Sequence, residues 1–137
     1  MAAALTSCLR RSGGLTTVQS SFWLRWQSEG AQGSAKLLPG TVYELHKVFS
    51  QKEVTAFLDT TGDNNDFHHD SGAARLQGFK GAIMPGMLCA SLFPALVAQN
   101  HPGAVYASQE LKFVKPVLVG EDVYAKVEHD GKRRQTQ

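Results

Sequence analysis

Eighteen consecutive residues, 81–98 (GAIMPGMLCASLFPALVA), carry no charge, and what they can become constrains this 137-residue chain more than any other stretch. Eighteen apolar residues are the lower limit for a membrane span. Pro85 and Pro94 interrupt the run. Proline suits the first helical turn, where its missing N–H has no partner to lose. A helix is therefore expected over residues 85–98, roughly fourteen residues and too short to cross a bilayer. Pro94, in its interior, should bend it. Apolar almost all round, such a helix belongs at the centre of a core.

The segments on either side supply a sheet for it. Residues 41–49 carry Val42, Tyr43, Val48 and Phe49 and read as a strand. Ser50 with Glu53 three residues on is a capping-box signature. Val54, Phe57 and Leu58 then share one face of a short helix, which Thr60-Thr61-Gly62 ends. A polar loop follows to about Asp70, and residues 73–80 lead into the apolar helix. Residues 105–115 alternate around Leu111 and Phe113, and Gly120-Glu121-Asp122 is a turn. Val123, Ala125 and Val127 then oppose Tyr124, Lys126 and Glu128, so the two runs read as a hairpin. The order predicts an α+β fold with an antiparallel sheet wrapped on one apolar helix.

Residues 1–30 are different in kind. They are rich in Ala, Ser, Thr and Arg, with no acid before Glu29, and their apolar residues precede the basic ones. That is the pattern of an organelle transit peptide rather than a secretory signal, and it predicts a mitochondrial address. Residues 1–35 are read as leader and linker, with 28–40 rich in Gly, Ser and Gln, and residues 36–137 as one domain. The leader holds the whole net charge of +2, whereas residues 31–137 balance eleven basic against eleven acidic side chains. With no basic surplus on the body, nucleic acid is not an expected partner. Cys8 in the leader and Cys89 in the apolar helix are read as free thiols.

Chemistry concentrates in residues 59–70, DTTGDNNDFHHD. A solvated acidic turn would use Asp and Asn for their tolerance of turn geometry, but it would not need two histidines and a phenylalanine. A metal site could draw on His68, His69, Asp63 and Asp66, yet the spacing fits no established ligand frame. Acid–base catalysis is the third reading. Asp63 and His68 are five residues apart, and a loop that folds back would aim both at one water. An alkene accepts that water when conjugated to a carbonyl whose oxygen is stabilised. Unpaired N–H groups at Gly86 and Met87, at the start of the apolar helix, are suited to stabilising it.

Gly62-Asp63-Asn64-Asn65-Asp66-Phe67-His68, followed by Gly86-Met87-Leu88, resembles the (R)-specific enoyl-thioester hydratase or MaoC-like family. Leu111-Lys112-Phe113 and Pro116-Val117-Leu118-Val119-Gly120-Glu121-Asp122 extend the resemblance over roughly residues 40–128. The resemblance implies a hot-dog fold and reversible hydration of trans-2-enoyl thioesters to (R)-3-hydroxyacyl thioesters of coenzyme A or acyl carrier protein. It implies Asp63 and His68 as the catalytic pair; which of the two takes the first proton is left open by the sequence, with Asp63 preferred as the base towards water. Asn65 would support the loop and the Gly86 N–H would bind the thioester oxygen. No metal or other cofactor is implied, and the expected assembly is a homodimer. With the leader, the chain is similar to a dehydratase of mitochondrial fatty acid synthesis in the matrix.

The sequence also departs from that pattern. Asp66 stands where the motif has proline, Phe67 where it has an aliphatic residue, and Pro85 where it has histidine. Asp66 would favour a protonated His68, and Phe67 would either narrow an acyl channel or pack under the loop. The fold's last two strands have only the polar residues 129–137 to draw on, so the sheet is expected to lack them and to leave an edge open. These departures keep open a non-catalytic acyl-thioester-binding subunit or an inactive truncated product.

Overall fold

A computed structural model describes residues 2–11, 16–26 and 38–130. Among these residues five strands form one antiparallel sheet. They are β1 (Ala2–Arg11), β2 (Thr16–Trp26), β3 (Val42–Val48), β4 (Ala104–Phe113) and β5 (Asp122–His129), in the order β3-β5-β1-β2-β4. Helices α1 (Gln51–Thr61), α2 (Ser71–Leu76), α3 (Gly86–Ala90) and α4 (Leu92–Asn100) lie between β3 and β4, with a 3₁₀ turn at Asp66–His68. This is the α+β hot-dog arrangement expected from the sequence, with the sheet wrapped on the apolar helix.

α1 begins where its cap predicts. The Ser50 hydroxyl accepts the Glu53 N–H, and the Glu53 carboxylate accepts the Ser50 N–H. Lys47 bonds the same carboxylate and, with Ser50, holds Glu53 down to about 2. Val54 and Leu58 are fully buried. Gly62 ends the helix at φ 72°, a left-handed position that glycine takes without strain. The loop that carries Asp63 therefore starts from a fixed point.

The apolar run is the core, with Leu88, Cys89, Phe93, Leu96 and Val97 all buried. Pro85 is its N-cap and Gly86 its first helical residue. The expected bend at Pro94 is instead a break at Ser91, between α3 and α4. Pro94 has no N–H for the Ala90 carbonyl, so the ladder fails one turn upstream of the ring. Burial pushes the Cys89 thiol up to about 12, which leaves it inert.

β5 alternates as expected: Val123, Ala125 and Val127 are fully buried and Tyr124 is exposed. The expected hairpin of β4 with β5 is not formed, because β1 and β2 stand between them. Their connection is held elsewhere. Met84 N–H donates to the Val117 carbonyl, Val119 N–H to that of Ala82, and Gly120 N–H to that of Phe49. Those bonds send the chain across the start of the apolar helix and forbid a tight turn.

The leader residues 2–11 and 16–26 thus occupy the place in the sheet that the sequence left open. β1 pairs with β5 and β2 with β4. Residues 28–37 of the expected linker and 131–137 of the polar tail, like the Cys8 side chain, lie outside the described part. Among the described residues no helix is long and apolar enough to cross a membrane.

Candidate active site

After Gly62 the chain turns back on itself at Asp63. Its Oδ1 accepts the Asn65 backbone N–H at 3.1 Å and also the Asn65 side-chain amide. This side-chain-to-backbone turn is why Asp and Asn suit the spacing. It leaves Oδ2 pointing elsewhere. One 3₁₀ turn later, His68 is buried, with 5% of its surface exposed. Its Nε2 lies 3.5 Å from Asp63 Oδ2.

The other ring nitrogen is committed. His68 Nδ1 lies 2.6 Å from the Ile83 carbonyl. A carbonyl only accepts, so Nδ1 carries the proton, and in the neutral ring Nε2 presents its lone pair towards Asp63. The Ile83 N–H in turn donates to the Phe67 carbonyl, and Gln51 Nε2 donates to that of His68. Loop and helix start are thereby fastened to each other, because Ile83 lies three residues before Gly86. A separation of 3.5 Å is longer than a well-formed hydrogen bond and leaves the two atoms side by side, so that both can face one polar group of a bound molecule.

Beside His68 opens a cavity of about 440 Å³, walled by Ile83, Met84, Gly86, Met87, Phe113 and Lys115 among others. Its walls are mainly apolar; among the described residues, His68, Lys115 and the Cys89 thiol are its ionisable groups. Gly86 is needed for space: a Cβ there would lie 2.8 Å from Phe113 Cε1. Neither Gly86 nor Met87 finds an acceptor for its N–H among the described backbone bonds.

Of the candidate residues, Asp63, Asn65 and His68 converge, and Gly86 lies on the same cavity as His68. Asp66 and His69 are exposed. Among the described residues no three His, Cys, Asp or Glu side chains come together as a metal cluster. Phe67 packs edge-on against His68, ring centroids 4.5 Å apart, and near Phe79, so it sits under the loop rather than on the cavity wall. Ile83, Gln51 and Phe113 are site residues that the sequence does not single out. Ile83 acts through a backbone carbonyl, which leaves no side-chain signal.

Residues 35–137 match the family described as MaoC like domain. The chain is 38% identical over 101 residues to a mitochondrial 3-hydroxyacyl-(acyl-carrier-protein) dehydratase, FERN, of Solanum lycopersicum, covering 74% of this chain and 61% of that protein. It is 37% identical over 89 residues to the mitochondrial 3-hydroxyacyl-(acyl-carrier-protein) dehydratase of Arabidopsis thaliana, 65% of this chain and 54% of that one. The solved structure of an (R)-hydratase of A. caviae involved in PHA biosynthesis superposes with a TM-score of 0.65 at 40% identity, over 69% of this chain and 74% of that one. The chain thus spans a little over half the length of the two plant proteins. With residues 35–137 matched, it belongs to the MaoC-like domain family.

Proposed function

We propose that the chain catalyses reversible hydration of trans-2-enoyl thioesters to (R)-3-hydroxyacyl thioesters, carried on coenzyme A or acyl carrier protein. The carrying observation is the Asp63 carboxylate 3.5 Å from His68 Nε2, with His68 on the wall of an apolar cavity that also exposes Gly86. Asp63 and His68 are the catalytic residues of this reading. Asn65 fixes the carboxylate, and the Gly86 N–H receives the thioester oxygen.

In hydration, the water oxygen bonds to C3 while one of its protons passes to Asp63. The electron pair of the C2–C3 double bond moves through C1 onto the thioester oxygen, where the Gly86 N–H stabilises the developing charge. A proton from the Asp63–His68 pair then bonds to C2 and the carbonyl re-forms, so one water has been added and the pair is restored. The Ile83 carbonyl fixes the ring so that Nε2, not Nδ1, relays the proton. Nothing in this sequence of steps calls on a cofactor.

The leader composition and the names of the plant relatives support a mitochondrial address, in the matrix, and a place in fatty acid synthesis. Family resemblance supports a homodimer. The test follows loss of enoyl absorbance from crotonyl thioesters of coenzyme A and acyl carrier protein with the full chain. Asp63→Asn and His68→Ala are each expected to lower turnover on the order of 10²-fold or more. Equal rates in all three proteins would favour a non-catalytic thioester-binding subunit.

A further inference from the structure

β4 has one neighbour. Among the described residues it pairs only with β2, and β2 reaches the rest of the sheet only through β1. Without residues 2–26 the ladder divides into a β3–β5 pair and a lone β4. A single strand without a ladder has no independent stability. The sequence of this segment is compatible with a pair of strands. Ser12-Gly13-Gly14 separates a run carrying Leu5 and Leu9 from one carrying Val18, Phe22, Trp23, Leu24 and Trp26.

What β4 carries is a wall of the cavity. Its last residue, Phe113, is registered opposite Val18 of β2. The Phe113 ring in turn is the group nearest Gly86, closing to 2.8–3.1 Å of any Cβ placed there. It lines the cavity with His68. The path runs from β1 and β2, through the register of β4, to the ring beside the proposed thioester oxygen site.

We propose that residues 2–26 are a positioning segment of the active site: β1 and β2 hold β4 in the sheet and so fix the Phe113 ring against Gly86. The function assigned to that ring rests on the thioester reading above. The same residues read as an organelle leader, so address and sheet draw on one segment.

Val18→Pro in the full chain tests this, because proline in a central strand removes a ladder hydrogen bond. By hydrogen exchange, amides of 104–113 are expected to lose protection about tenfold or more while those of 42–48 and 122–129 keep theirs. The KM for crotonyl-CoA should rise roughly tenfold with a smaller change in kcat, since the Asp63–His68 pair is untouched. Val18→Ile should restore both, and Gln32→Pro, outside both strands, should change neither. Unchanged protection of 104–113 would overturn the proposal. So would its loss together with 42–48 and 122–129, which would mark a global folding role. If the unmutated chain hydrates no thioester, the functional reading fails, while the exchange pattern still decides whether residues 2–26 hold β4.

Discussion

One nitrogen of His68 is spent on the Ile83 carbonyl, and that single bond sets what the other can do. That Asp63 and His68 would meet was legible in their types and five-residue spacing, and they lie 3.5 Å apart. Asn65 was legible as loop support, and its two bonds to Asp63 give that support a geometry. Ile83 was not, since a carbonyl looks alike in every residue. Gly86 was legible as a place of close approach, but the neighbour that demands it, Phe113, lies 27 residues on and is brought near only by the fold. Gly86→Ala is expected to crowd the ring at a cost of about 1–3 kcal/mol. Activity should fall about tenfold or more, and Phe113→Ala added to it should recover part of the loss. A double-mutant cycle on crotonyl-thioester turnover checks this; strictly additive effects would separate the two residues.

At the scale of elements, periodicity served best where burial is one-sided. β5 and α1 follow their sequence patterns because Val123, Ala125 and Val127, and Val54 with Leu58, face one core. α2 was not legible: its six residues lack a long apolar face, and its signal was the Asp70 side chain accepting the Gly72 N–H. The expected β4–β5 hairpin failed because alternation reports that a strand exists and not which strand it pairs with. At the far end of the core, His101 follows α4, its ring edge-on to Tyr43 at 5.2 Å. Burial, and secondarily the neighbouring His129, holds His101 below its ordinary 6.5. The unfolded chain therefore takes up a proton that the folded one resists, and stability is lost as pH falls below about 6.5. Melting temperatures measured from pH 7.5 to 5.5 (about the span in which histidine titrates) should decline, and His101→Gln should flatten the decline. An equal slope in both proteins would place the acid lability elsewhere.

For the whole molecule, the α+β plan with a buried helix was readable because one uncharged run left few alternatives. The completion of its sheet was not. Residues 2–26 have the composition of a leader, and composition reports an address without reporting a strand register. Their pairing with β5 and β4 makes the sheet between those two strands depend on residues that the sequence reads as a leader. The site inherits that dependence, since its loop is fastened to α1 and the helix start while its far wall hangs from β4.

The most direct measurement incubates the full chain with crotonyl-CoA in D₂O and reads the products by NMR and chiral analysis. An (R)-3-hydroxybutyryl thioester with one deuteron at C2 and an intact thioester is the expected product. Release of free coenzyme A and crotonate, or a substrate left unchanged, would contradict the account.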